Sequence, residues 1–359
     1  MNTSRTIVSK DIYHGLPTFP NDLTDLTAVV CGANGISGVH MLADQLKKSN
    51  IKPDYVFFFA YIQPKPEVEG QIWSAVDELV KVNTELLNNF LQALVLANAL
   101  PKTFLLQLGA KYYGVHNGPT ATPQEESDPR VLLEPNFYYH QEDSLKEFAR
   151  ENGFNWITTR PSWIPGAAQD AAMNLCLPLG IYAAVQKSMG RALEYPADLT
   201  AWETQQAMSS AQMNGHLSEW CVLTPGAQNE SFNASDDCAF TWSKFWPRLA
   251  AKFYIPWKGP DVDNEGSGFR EVSTPYNPPP RGYGPPGVLR FKFTLVEWAK
   301  RPEVQKEWKK LASDHGLRNQ DLWDVERVFG FADAGLQQSW PNNYSSVAAP
   351  PVKTNVRGI

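Results

Sequence analysis

Reduction of a carbonyl or enone needs a hydrogen-bond donor aimed at the oxygen that gathers charge, and a cation that holds down the donor's pKa. Tyrosine and lysine fill these roles. The usual Tyr-x-x-x-Lys spacing occurs at Tyr61 to Lys65 (YIQPK) and at Tyr254 to Lys258 (YIPWK). Each has a proline between its members and cannot lie along one helical face, so both are set aside. A second pair lies on separate segments. Lys111 stands in LLQLGAKYYG, just past an apolar run, and Tyr138 stands in PNFYYHQED, at the start of the next helical pattern. Residues at the carboxyl ends of parallel strands converge on one crevice, where these two would meet over a bound dinucleotide. The plainer reading of the same residues is a surface lysine and a packing tyrosine.

A second motif, Gly32-Ala-Asn-Gly35-Ile-Ser-Gly38, directly follows the apolar run Leu26 to Cys31 and opens a helical pattern. Glycines there let the backbone approach a pyrophosphate, and a helix N-terminus attracts it. Gly32, Asn34, Gly35, Ile36 and Gly38 are therefore the candidate cofactor-binding residues, the alternative being a purely structural tight turn. Roughly 20 residues further on, such a site carries an acid for NAD or an arginine for NADP. Tyr55 stands at that distance, inside an apolar run that reads as a later strand, and only one helical segment, Val39 to Asn50, intervenes. One βαβ repeat is absent.

The elements that must position these residues follow from periodicity. Leu26 to Cys31, Tyr55 to Tyr61 (YVFFFAY), Thr103 to Leu108 (TFLLQL) and Asn155 to Thr159 (NWITT) read as buried parallel strands. Ile72 to Leu100 repeats apolar residues at steps of three and four and stops at Pro101, and Gln141 to Asn152 is a shorter amphipathic helix ending at Gly153. Strands alternating with helices predict an α/β fold, with a Rossmann-like doubly wound parallel sheet over residues 1–166. Residues 167–341 predict a smaller, mostly helical substrate-binding region, with helices at Met173 to Gly190, Thr241 to Phe253, Val296 to Leu311 and Gln320 to Phe329. Within it, the Pro/Gly-rich loop 257–287 reads as a surface linker in preference to a lid, and 342–359 reads as a disordered tail.

Composition narrows the function classes. The 359 residues are 43% hydrophobic and 19% charged, enough to bury a sizeable core. A formal net charge of -6 supplies no cationic field for a phosphate backbone, so no nucleic-acid partner is expected. No apolar run reaches the roughly 18 residues that span a bilayer, and the first residues carry no apolar leader; a cytoplasmic protein without a membrane partner is expected. Cys31, Cys176, Cys221 and Cys238 lack any paired spacing and read as small buried thiols. Among six histidines no metal-ligand set stands out, and His116 and His140 read as surface or turn residues. The 12 Trp, 13 Tyr and 18 Phe suit a bulky apolar small-molecule substrate, lined by Trp163, Met173, Tyr182 and Trp202, although most such rings belong to a core. A homodimer is the assembly considered.

Taken in order, GANGISG, YVFFFAYIQ, LQLGAKYYG, NFYYHQED, RPSWIPG, MNL with an IYAA helix, and ESFNASD followed by TWSKFW resemble the progesterone 5β-reductase and iridoid synthase family of short-chain dehydrogenases, in its filamentous-fungal branch. The likeness runs from about Ile12 to Pro256, with a fainter echo to Trp340. It implies an NADPH-dependent reductase of activated enones in secondary-metabolite biosynthesis, which delivers hydride to the carbon β to a carbonyl. The family's lysine falls on Lys111, and its tyrosine, the first of the two in NFYY, on Tyr138. By that resemblance Tyr138 hydrogen-bonds the substrate carbonyl as an enolate forms, and Lys111 steadies the ribose and the tyrosine hydroxyl.

The departures have physical consequences. Members of the family carry, after the glycine turn, a second strand ending in an arginine pair that grips the NADP 2′-phosphate, and then a third strand. Here GVHML passes straight into ADQLKKSNIKPDYVFFFAY, so both strands and both arginines are missing. A helix that normally returns to one side of the first strand must then reach the other, and a right-handed crossover would move it to the opposite face of the sheet. Leu108 replaces a hydroxyl residue near the cofactor, and NNYSSVAAPPVKTNVRGI replaces a closing helix. Three readings follow: the reductase, a cofactor-independent cyclase or isomerase on the same fold, and a non-catalytic protein.

Overall fold

The apolar runs form a sheet because each can be buried from both sides, and the computed structural model shows how they pair. It describes residues 26–31, 46–68, 72–166, 173–236, 239–261 and 268–345. Strands β1 (Ala28–Cys31), β2 (Tyr55–Phe58), β3 (Thr103–Gln107), β4 (Asn155–Pro161) and β5 (Glu230–Ala234) run parallel, in that spatial order. The register pairs Val30 with Phe57, Val56 with Phe104, Leu105 with Ile157 and Thr159 with Phe232. β1 lies directly on the Tyr55 strand.

Successive side chains point to opposite faces of a strand, so the apolar runs of β2 to β4 serve two layers, whereas β1, expected as a buried strand, leaves Ala28 and Val30 exposed at the edge of the described sheet. Val56, Phe58, Phe104 and Leu106 pack against helices α1 (Val76–Leu96) and α2 (Phe137–Asn152). Phe57, Leu105, Ile157 and Phe232 pack with Leu217, Cys221 and Val222 of helix α4 (Ala211–Leu223), on the other side. The doubly wound sheet is therefore present, but not within residues 1–166 alone. Its fifth strand and α4 come from beyond position 166, because β4 needs a neighbour on its far edge and ESFNA supplies it.

Local chemistry sets the ends of the helices. α2 starts one turn earlier than its apolar pattern, because the Asn136 side chain accepts from the Tyr138 N–H and caps it. It stops at Gly153, which adopts φ +74°. The stretch expected as one helix over Val296 to Leu311 is two, α6 (Leu295–Ala299) and α7 (Pro302–Asp314), since Pro302 removes a donor and can only begin a helix. The last described helix, α8, runs from Val325 to Gln337.

The second half encloses an aromatic core. Trp242, Trp246, Trp298, Tyr182 and Tyr195 are almost completely buried, with α3 (Cys176–Ser188) and α5 (Trp242–Phe253) contributing three of them. Their polar atoms find main-chain partners: Trp246 Nε1 donates to the Leu193 carbonyl at 3.0 Å and the Tyr182 hydroxyl to the Glu194 carbonyl at 2.9 Å. Tyr182 and Trp202, expected to line a substrate, belong to this core, and Met173 packs on it. The Pro/Gly-rich stretch is likewise no free linker. Strands β6 (Arg270–Ser273) and β7 (Val288–Phe291) pair antiparallel, and the turn between them lies against Gly114 and Gly118, with Arg281 N–H donating to the Pro119 carbonyl at 3.0 Å. Of the thiols, Cys31 and Cys221 are buried and Cys176 is exposed; Cys238 lies outside the described residues. Among the described residues, no helix is long and apolar enough to cross a membrane.

One carboxylate ties α8 to α6. Asp333 is fully buried and accepts from the Leu295 and Val296 N–H groups at 2.6 and 3.0 Å. Burial raises its pKa to about 7, against the two hydrogen bonds that lower it. Between about pH 4 and 7 the folded chain thus holds a proton that the unfolded chain releases, and this contribution to stability is lost as pH rises through that window. Asp333→Asn, which cannot ionise, gains stability relative to the parent as pH rises from 4 to 7, by on the order of a few kcal/mol. Urea denaturation at both pH values measures the change.

Candidate active site

The loop after β3 and the first turn of α2 meet at the carboxyl edge of the sheet. Ala110–Tyr113 form a 3-10 turn that carries Lys111, and Gly114, at φ +75°, closes it. Asn136 joins the two segments: its Nδ2 donates to the Lys111 carbonyl at 2.9 Å while its Oδ1 caps α2. One side chain thereby fixes where both Lys111 and Tyr138 stand. Sequence reasoning missed Asn136; an asparagine ahead of a helical pattern could have announced the cap, but nothing announces its second bond.

Several tyrosines crowd this edge, and their hydrogen bonds separate structural from chemical roles. Tyr112 donates to Glu142 at 3.1 Å, Tyr113 to Asn233 Oδ1 at 2.6 Å, Tyr139 to the Tyr112 carbonyl at 2.5 Å, and Tyr61 to Gln63 at 2.5 Å. The Tyr138 hydroxyl alone of these five makes no hydrogen bond within the described residues. It lies over Gly109, where a Cβ would come within 2.9 Å of it, so the glycine is what lets the phenol reach the ends of β3 and β4. Burial raises the Tyr138 pKa, keeping the phenol protonated and able to donate.

Lys111 and Tyr138 are brought to one edge through Asn136, but their side chains do not pair. The Lys111 ammonium, 7% exposed, lies 3.9 Å from Glu134 Oε1 and 5.5 Å from the centre of the Trp73 ring. Glu134 also accepts from His116 Nε2 at 2.6 Å and from the Tyr276 hydroxyl, on the hairpin turn, at 3.2 Å. Burial lowers the Lys111 pKa to about 8, with Glu134 opposing the fall. Burial and the Lys111 charge lower that of His116 to about 4. Burial would raise Glu134, but His116 and Lys111 bring it down to about 2. The carboxylate is therefore ionised and the imidazole neutral at pH 7. To donate, the imidazole must carry its proton on Nε2. His116 is in a turn, as expected, yet its side chain is buried instead of solvated, whereas His140 is exposed. Nothing in the sequence pointed to Glu134, which sits 23 residues beyond Lys111 in a loop without periodicity.

Gly32, Asn34, Gly35, Ile36 and Gly38 lie outside the described residues. The described part of a dinucleotide site divides in two. At its reactive end, Tyr138 offers an unengaged donor over Gly109 at the carboxyl edge, which suits a nicotinamide and a carbonyl compound. At its adenosine end, β1 pairs with β2 on one side and has no partner on the other, so no strand of the described sheet brings a ribose-reading side chain beside it. Trp163, at the end of β4, donates to Gln206 at 2.5 Å and flanks this edge. Among the described residues, no group of three or more His, Cys, Asp and Glu side chains could hold a metal ion.

A family profile described as a PRISE-like Rossmann-fold domain matches residues 47–276. The chain belongs to this family. The PRISE-like chain is 28% identical over 284 residues to short chain dehydrogenase gsfE of Penicillium aethiopicum, covering 79% of this chain and 68% of that protein. It is 33% identical over 270 residues to (S)-8-oxocitronellyl enol synthase ISY2 of Nepeta cataria, covering 73% and 61%. It is 30% identical over 288 residues to 3-oxo-Delta(4,5)-steroid 5-beta-reductase of Arabidopsis thaliana, covering 79% and 64%. The PRISE-like chain thus spans about two thirds of the length of these relatives.

Glu134 is the group whose loss the buried lysine should register. Lys111 binds fewer protons folded than unfolded between about pH 8 and 10.5, so its contribution to stability rises with pH across that window. Glu134→Gln removes the opposing charge and extends the window below pH 8. The variant is expected to lose about 3 kcal/mol at pH 6.5 and distinctly less at pH 9.5, where the amine is neutral, as read by urea denaturation.

Proposed function

We propose that this PRISE-like chain is a nicotinamide-dependent reductase of an activated enone or carbonyl in secondary-metabolite biosynthesis, with NADPH as its cofactor. The observation that carries the reading is the Tyr138 hydroxyl: buried, protonated, free of any hydrogen bond within the described residues, and held over Gly109 at the carboxyl edge. A donor fixed in that way is complementary to the oxygen of a carbonyl compound as it becomes an enolate or alkoxide. The names of the relatives agree with this class: a short chain dehydrogenase, an enol synthase and a 3-oxo-steroid 5-beta-reductase. The cofactor, when bound, supplies the hydride. Gly32, Asn34, Gly35, Ile36 and Gly38 are the residues proposed to hold its pyrophosphate.

The chain's own groups divide the remaining work. Asn136 orients Tyr138 through the first turn of α2 and fixes the Lys111 backbone with the same side chain. Lys111 places a positive charge at the edge, beside Glu134, which His116 holds in turn. Tyr138 therefore acts as a neutral donor, with no adjacent cation drawing off its proton. Burial among Phe137, Tyr61 and Tyr113 excludes water from the phenol. The substrate is a small molecule held at this edge in the cytoplasm, and the proposal includes no nucleic-acid, membrane or metal partner. A homodimer is its proposed assembly.

A second reading rests on the outer edge of β1, where the described sheet carries no strand to read an adenosine ribose. Under it, Tyr138 serves a cofactor-independent cyclisation or isomerisation by the same stabilisation of an enolate. Titration with NADPH, followed by energy transfer from tryptophan to the reduced nicotinamide, separates the two: saturable binding supports the reductase, and a folded protein without binding supports the second reading. Tyr138→Phe is expected to lower turnover at least ~100-fold while leaving NADPH affinity within about twofold. A variant with full turnover would exclude Tyr138 as the donor.

A further inference from the structure

The segment after α8 was expected to begin a disordered tail at residue 342, but residues 342–345 are stitched into the carboxyl edge. The Asn342 N–H donates to the Gln205 carbonyl at 3.2 Å, and its own carbonyl accepts from Ala207 at 2.7 Å. One step on, Gln124 N–H donates to the Asn343 carbonyl at 2.7 Å, and Ser345 N–H to the Gln124 carbonyl at 2.9 Å. Bonding on both sides makes this stretch a one-strand strap between the loop after β3 and the short strand Gln206–Ala207. Residues 346–359 lie outside the described residues.

In an extended strap, alternate side chains share a face. Asn342, 1% exposed, turns inward and donates through Nδ2 to the Ser162 hydroxyl at 3.0 Å, just past the end of β4. Tyr344, two residues on, points the same way. Its ring centre lies 6.0 Å from that of Tyr113, and it packs on the cluster that holds Tyr61, Phe137 and Tyr138. Its hydroxyl is sealed from solvent. Burial, with the phenols of Tyr113 and Tyr138, raises its pKa and keeps that hydroxyl protonated. Gln124 Oε1, Asn342 Oδ1 and Asn343 Oδ1, along the strap, are enclosed without hydrogen-bond partners among the described residues.

We propose that Tyr344 is a specificity-determining residue of this site, its ring forming the wall beside Tyr138 and limiting the bulk of the carbonyl compound that reaches the Tyr138 hydroxyl. The inference rests on the reductase reading for its chemistry, but its geometry does not require a cofactor. It also narrows the substrate class, from any bulky apolar ligand to one slim enough to pass the strap.

The test uses the full chain carrying Tyr344→Ala, Tyr344→Leu or Tyr344→Phe. The probes are cyclohex-2-enone as the small enone and a steroidal 4-en-3-one as the bulky one. Two readouts are taken: kcat/KM from NADPH oxidation, and quenching of tryptophan emission by each probe without cofactor. Tyr344→Ala and Tyr344→Leu should raise the bulky-to-small ratio of kcat/KM roughly tenfold or more and tighten binding of the bulky enone, while Tyr344→Phe, which keeps the ring, leaves both near the parent. Leu preserves apolar packing and guards against a merely unfolded Ala variant. An unchanged ratio and unchanged binding in a folded Leu variant overturn the proposal. If the parent chain turns over neither probe, the reductase reading fails by itself, and the quenching titration alone decides: tighter steroid binding in the Leu variant supports Tyr344 as the wall, and equal binding overturns it.

Discussion

The side-chain amide of Asn136 is the constraint on which the site depends. It is an N-cap, a role that Asp and Ser fill about equally well, but it is also the donor to the Lys111 carbonyl, which the acceptor-only carboxylate of an aspartate could not be. The capping oxygen sets the phase of α2 and so the direction of the Tyr138 phenol. The amide nitrogen sets the height of the 3-10 turn above β3 and so the direction of the Lys111 stem. Two elements from different layers share one hinge point, and a shift in either moves the other.

From that point the charges fall into order. A buried ammonium in an aromatic setting is costly, and it is kept by a carboxylate that three further groups hold in turn: His116, Tyr276 and Asn117. Tyr276 comes from the turn between β6 and β7, so the Pro/Gly-rich hairpin contributes to the electrostatics of a lysine far from it in sequence. On the other side of α2, Arg160 stacks 3.5 Å from the Tyr112 ring centre and pairs with Glu142, which Arg130 also grips at 2.6 Å. The second of these networks engages Tyr112 and Tyr113, while the Tyr138 hydroxyl makes no hydrogen bond within the described residues.

Much of this was legible in the sequence because it depends on local period. The strands at Tyr55, Thr103 and Asn155, the helix at Val76–Leu96 and the missing repeat after the glycine turn could be read from apolar spacing and segment length. Lys111 and Tyr138 could be placed at the edge because one follows a strand and the other opens a helix. β5 was missed because ESFNA is short and polar at alternate positions, and its strand character comes from lying beside β4. Glu134, Gly109 and Tyr344 were missed for a different reason: each acts through a contact that no periodic pattern announces. Tyr182 and Trp202 were assigned to a binding wall on aromatic content alone, and the main-chain carbonyls that satisfy their neighbours in the core have no signature in composition.

The strap has a bearing on how the molecule is assembled in time. Trp340 donates its indole N–H to the carbonyl of Val115, a residue 225 positions earlier, and the backbone bonds of Asn343 and Ser345 to Gln124 close loops of similar size. Contacts of such long range bring a loop-closure entropy that local helices and neighbouring strands do not bear. The parallel sheet and its covering helices can condense first, with the Tyr138 edge still open to water. Enclosure of the site is then a late step in folding, after the rest of the chain has already found its place.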